Sequence, residues 1–216
     1  MFDGLLVKED SLLRHTARAL ILGAIAVVLF AGDADALRYH QRPAWMTGVG
    51  LGIGRGTFID PAGAESGYRS GVSPQIRIGR MLGQRAMIGF NYDGWLIEYG
   101  EVPTKHRRSL QNAALAVTLF PGNPKGPWGG LYLRAGAGVG LTGTAEVEIV
   151  EGGKQERGER VDEWGVGAVG ELGYEFWISD NFAAGLVSAI NYFDIGETIV
   201  DTAWFGSLGL TLNLYF

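Results

Sequence analysis

The nine residues Leu208 to Phe216, LGLTLNLYF, decide the fold of this chain. Leu208, Leu210, Leu212, Leu214 and Phe216 share one parity, while Gly209, Thr211, Asn213 and Tyr215 share the other. A period of two is the signature of a strand with one apolar face and one small or polar face. An exposed apolar strand at a sheet edge invites aggregation, so a soluble sandwich is a poor home for it. A closed barrel in a membrane has no edge, and its outer face meets lipid.

Seven further segments alternate in the same way. Trp45 to Arg55 puts Trp45, Thr47, Val49, Leu51 and Ile53 on one face and Gly48, Gly50, Gly52 and Gly54 on the other. Val72 to Leu82, Ala86 to Leu96, Ser109 to Leu119, a segment starting near Gly130, one ending near Ile178, and Phe182 to Tyr192 follow, before a last strand over Thr202 to Phe216. A tilted membrane strand needs about 9–11 residues, which these segments supply. The links alternate in length. Gly83 to Arg85, Pro121 to Pro127 and Trp177 to Asn181 read as short turns, and Thr57 to Ser70, Ile97 to Arg108, Gly143 to Asp162 and Phe193 to Asp201 as longer polar loops. Short periplasmic turns opposite long outer loops are the rule for membrane barrels. Outward aromatics sort by depth into two belts, with Tyr92, Trp164, Tyr192 and Trp204 near the loops and Trp45, Phe176, Phe182 and Phe216 near the turns. The fold class predicted is all-β, an eight-stranded antiparallel up-and-down transmembrane β-barrel. A soluble up-and-down barrel would instead put its apolar residues inside and show no belts.

Upstream, Ala19 to Gly32 is an uncharged apolar run of 14 residues preceded by Arg14, His15 and Arg18, and Ala34-Asp35-Ala36 follows it. At 1.5 Å per residue such a run falls short of a hydrocarbon core of roughly 30 Å. The pattern predicts a signal peptide over 1–36 cleaved before Leu37, a short periplasmic segment over 37–44, and a barrel over 45–216. Removing 1–36 takes away three basic and five acidic residues and moves the net charge from −5 to −3. A weakly acidic chain with few basic clusters is a poor nucleic-acid binder. With no cysteine, disulfides and lipoprotein anchoring are excluded.

Strand pattern, count, belts and the terminal Phe216 together resemble the eight-stranded outer-membrane barrels of the OmpA, OmpX and OmpW type. The resemblance implies a bacterial outer-membrane location in a Gram-negative envelope, lipid and lipopolysaccharide as surroundings, and the barrel-assembly machinery as a partner that reads the C-terminal aromatic strand. It covers Trp45 to Phe216 and says little about activity, because one barrel hosts many functions.

Glu151-Gly152-Gly153-Lys154 looks like a two-residue hairpin turn, since paired glycines accept the positive φ of primed turns. That register makes paired residue numbers sum to 305: Val147 faces Gly158, Leu141 faces Trp164, and Arg134 lands opposite Glu171. The inward face also carries Gln75, Arg77, Asn91, Asp93, Asn112, Tyr132, Glu163 and Glu175. Charges in a narrow dry lumen must pair, and the clusters predicted are Arg134 with Glu171 or Glu175, and Arg77 near Asp93.

A side-chain-filled lumen predicts a structural or surface-interaction barrel acting through its outer loops. The alternative is a narrow OmpW-like channel for small or hydrophobic solutes. A minor alternative is a lipid A-modifying enzyme, for which His40 and His106 are the histidines left after cleavage. His106 stands among Lys105, Arg107 and Arg108, which disfavour its protonated form, and reads as a solvated loop residue. Lys105, Arg107 and Arg108 are candidate contacts for lipopolysaccharide phosphate. Val147 and Ile149, beyond the belt of Trp164, form a candidate edge for a surface protein partner, a behaviour that resembles OmpX-type barrels. No catalytic residue, metal site or cofactor is expected.

Overall fold

The computed structural model describes residues 42–99, 104–124, 126–150, 154–196 and 200–216. The expected signal peptide (1–36), His40 and the turn residues 151–153 lie outside the described residues. Eight strands run in chain order: β1 (Trp45–Ile59), β2 (Arg69–Met81), β3 (Ala86–Tyr99), β4 (Thr104–Leu119), β5 (Leu131–Val150), β6 (Lys154–Ser179), β7 (Phe182–Asp194) and β8 (Thr202–Tyr215). Each pairs antiparallel with its neighbours, and β8 pairs with β1 from Met46↔Tyr215 to Ile59↔Thr202, which closes the barrel. Following cross-strand partners from Val49 through Ile76, Tyr92, Ala113, Val139, Val166, Asp194 and Thr202 returns to β1 at Ile59. That stagger of ten residues tilts the strands, and eight strands leave room inside for side chains alone.

The alternation falls as the sequence predicts, apolar outward. Val49, Leu51, Ile53, Ile76, Leu115, Val139, Val166, Ile190 and Leu210 are all exposed, Ile53 at 73% and Leu115 at 71%. Water would penalise that surface by roughly 25 cal/mol for each Å² of apolar area, whereas hydrocarbon accepts it. Trp45, Trp164, Tyr192 and Phe216 are exposed at the two ends of this band, with Tyr92 and Trp204 half-buried on the same outer face.

Two of the expected loops are strand instead. β3 and β4 continue through most of 97–108, and β5 and β6 through most of 143–162, so both hairpins stand well above the belt marked by Trp164. Above the lipid nothing requires an apolar outer face, so the charged alternation that reads as loop remains compatible with strand. The register of the last hairpin also departs from expectation at its tip. Leu131↔Tyr174 through Ala145↔Arg160 keep the sum of 305, but Val147 pairs with Arg157 and Val150 with Lys154. The extra residue between Arg157 and Arg160 forms a β-bulge on β6, which reconciles the two registers.

Leu51 is outward midway along β1 and 63% exposed. Leu51→Arg is expected to cost the barrel ~2–4 kcal/mol in lipid vesicles, measured by urea unfolding, because it buries a cation in hydrocarbon. A soluble barrel would tolerate the same change.

Candidate functional site: the polar lumen

The inward parity carries the polar residues into a space walled by glycine on β1. An added Cβ at Gly50 would lie 3.0 Å from Gln75 Oε1, so glycine there spares the long side chain opposite a tight contact. At the centre stands Glu171 on β6. Arg134, its direct partner across the β5–β6 ladder, places Nη1 2.8 Å from Glu171 Oε2. Arg77 reaches across the lumen from β2 and places Nη2 3.0 Å from the same oxygen. Arg134 Nε donates to Thr118 Oγ1 (2.7 Å), and Arg77 donates to Gln75 Oε1 (2.9 Å) and to the Tyr132 hydroxyl (3.0 Å). Asn91 donates to Asp93 and, at 3.3 Å, to Glu171 Oε1, while its carbonyl accepts from Arg134. Five adjacent strands, β2 to β6, are therefore tied through one carboxylate. The void beside this cluster holds only ≈ 10 Å³, room for about one water.

The arrangement differs from two separate clusters. Arg77 and Arg134 converge on Glu171, and Asp93, set across from Gln75 and Asn112, takes hydrogen bonds from Asn91 and Gln75 and lies within the field of both arginines. Glu175 lies nearer the short turns and accepts from the Tyr215 hydroxyl (2.8 Å) and Asn213 Nδ2 (2.9 Å). Glu163 lies nearer the loops, where it accepts the Val200 N–H at 3.1 Å.

Above and below the polar layer sit two apolar ones. At the loop end, Phe58, Trp95, Leu110, Phe193, Val200 and Phe205 are buried together. Trp95 stacks between Phe58 (centroids 5.5 Å apart) and Phe205 (5.6 Å). At the turn end, Met46, Met81, Met87, Phe120, Tyr132, Val187 and Tyr215 pack together with Trp177 against them. The loop-end layer is not among the sequence expectations, although the inward parity of Phe58, Trp95, Phe193 and Phe205 is a usable signal for it.

The remaining candidates are dispersed. Lys105, Arg107 and Arg108 lie on β4 and form no loop patch. Arg107 is exposed and paired with Glu98 (3.6 Å), whereas Arg108 has the inward parity and stands 5.0 Å from the Phe58 ring centroid. Strand alternation thus divides the basic run between two faces. Val147 and Ile149 are on β5, and Val147 is paired to Lys105 on one side and Arg157 on the other, so it is no edge. Among the described residues the ladder between β6 and β7 begins at Val166↔Asp194. Among the described residues no three His, Cys, Asp or Glu side chains are grouped to hold a metal.

Because two arginines share Glu171, removing the carboxylate leaves two facing cations. Glu171→Ala is expected to destabilise by ~3–5 kcal/mol. Arg134→Ala should cost less, since Arg77 still neutralises Glu171. Replacing Arg77, Arg134 and Glu171 together with Met, Met and Leu should recover much of the loss. Urea midpoints in lipid vesicles give the ranking, and equal losses for both single changes would contradict the shared pairing.

No protein-family model matches the sequence, and no curated protein matches it. Among solved structures the chain is similar to Ail, the attachment invasion locus protein of Yersinia pestis, crystallised with the heparin analogue sucrose octasulfate. The TM-score is 0.55 at 9% identity, covering 79% of this chain and 99% of Ail. A second Ail structure gives 0.53 at 10% identity over 80% and 99%. Neisserial surface protein A gives 0.46 at 16% identity over 79% and 97%. With the lipid-facing band, the two aromatic belts and the closed eight-strand topology, the likeness to Ail makes this chain a transmembrane β-barrel with the fold of the small outer-membrane proteins.

Proposed function

We propose that the protein is a non-conducting outer-membrane barrel that works through the sheet it raises above the lipid. The observation that supports this reading is the lumen, where the ion pairs of Glu171 lie between two clusters of buried apolar side chains. Ions crossing it would have to dewet through Trp95 and Phe205, and then displace the partners of Glu171.

What is left to interact is the raised part of β4, β5 and β6. Residues 154–161 of β6 have no strand partner on the β7 side among the described residues. An open strand edge of this length, on the order of 30 Å at ~3.3 Å per residue, supports capture of an extended segment by main-chain hydrogen bonds. Lys154, Arg157 and Arg160 alternate there with Glu156 and Glu159. Charges on an edge discourage indiscriminate pairing, so a partner strand needs complementary charge.

Refolded protein in planar bilayers is expected to show no single-channel steps. Reproducible steps that disappear in Gly138→Leu would overturn the sealed-lumen reading and favour the narrow channel. Replacing residues 143–162 with an Asn-Gly turn removes no strand at membrane depth, so insertion should persist while surface adhesion of expressing cells falls. Unchanged adhesion with correct insertion would remove the raised sheet from the proposal.

A further inference from the structure

One buried ion pair belongs neither to the network around Glu171 nor to the barrel wall. Arg42 precedes β1, yet it is 4% exposed. Its N–H donates to Gln84 Oε1 (2.9 Å), and Gln84 Nε2 returns a bond to the Arg42 carbonyl (3.2 Å). Two residues on, the Ala44 carbonyl accepts the Met81 N–H (2.8 Å). These bonds lay residues 42–44 against the turn between β2 and β3. The guanidinium continues inward: Nη2 donates to the Gly129 carbonyl (2.8 Å) and lies 3.5 Å from Glu175 Oε2. Its Cζ stands 3.7 Å from the centroid of the Phe120 ring. A cation so placed over an aromatic face, facing a carboxylate and away from water, is strongly held.

Glu175 is the meeting point. It takes Arg42 from the segment entering β1, and Tyr215 and Asn213 from β8, the strand that closes on β1 at Met46↔Tyr215. Both Tyr215 and Met46 belong to the apolar layer at the turn end. The Glu175 site is therefore complete only when the β1–β8 seam is zipped and the strap has entered the mouth.

We propose that residues 42–44 form a strap that closes the turn-end mouth of the barrel, latched by Arg42 on Glu175 after the seam has formed. The strap is tied by a few side-chain and turn hydrogen bonds, whereas the wall is tied by full ladders. It can open locally while the barrel stays folded, as weakly tied segments do. Opening exposes the layer of Met46, Phe120 and Tyr215 and leaves the Glu171 cluster untouched.

The chain has no cysteine, so a single one reports access. Met46→Cys, at a position 1% exposed, should react slowly with a maleimide in folded protein, and Ala183→Cys in the same layer should agree. Adding Arg42→Ala is expected to speed labelling about tenfold or more, with faster amide exchange at Met81 and unchanged exchange at Arg134. Gln84→Ala, which cuts the strap's tie without touching Glu175, should act in the same direction and decides the matter if Arg42→Ala does not fold. Heat-modifiable migration on gels verifies the barrel in each case. Labelling that stays at the parent rate in folded Arg42→Ala, or in Gln84→Ala where that is the deciding variant, overturns the latch.

Discussion

A strand that crosses lipid can leave no backbone N–H or C=O unpaired, and the rest of this structure follows from that constraint. Eight strands satisfy it only by closing, so β1 must find β8, and the ladder from Met46↔Tyr215 to Ile59↔Thr202 does so without interruption. Closure at a stagger of ten residues then sets a lumen too narrow for bulk water. Each inward side chain must consequently find its partner among other inward side chains. The outer surface faces the converse demand and becomes a band of Val, Leu and Ile between two aromatic belts.

Interior charge obeys the same constraint. Asp93, Glu163, Glu171 and Glu175 are buried, as are Arg42, Arg77 and Arg134, and half-buried Arg108 faces inward over Phe58. Among the described residues Glu171 is paired with Arg77 and Arg134, and Glu175 with Arg42. Part of this pairing comes from outside the strands, since Arg42 precedes β1. An isolated buried charge costs several kcal/mol even after relaxation. The segment before β1 is thus part of the charge pairing inside the barrel and more than a connector.

How much of this was legible in the sequence depended on whether the contact followed the ladder. Arg134 opposite Glu171 was legible because both lie on one hairpin, and a single register sum carries over most of its length. Arg77 on Glu171 was not, because β2 and β6 are not neighbours and their contact spans the lumen. Strand alternation alone cannot rank cross-lumen partners. The loop-end apolar layer was hidden for another reason. Ending strands at charged residues stops β1 at Arg55, although the strand runs to Ile59 and brings Phe58 inward. The same rule turned the upper parts of β3 to β6 into loops. Charge marks the edge of lipid, and strands continue past that edge. Arg42 carried no pattern at all, since it lies outside every alternating segment and gains its meaning only where Phe120 and Glu175 converge.

These separations decide which surfaces remain available for function. Lipid dictates the outer face between the belts, where a charged substitution is opposed by solvation. Packing dictates the inner face, where two clusters of buried apolar side chains flank the polar centre. Neither face can vary much without loss of the barrel. Above the belt the demand of lipid lapses: β4, β5 and β6 remain paired with one another there, and among the described residues the ladder between β6 and β7 begins at Val166↔Asp194. Lipid makes no demand on the sequence there, and the surface-interaction role proposed above rests on that sheet.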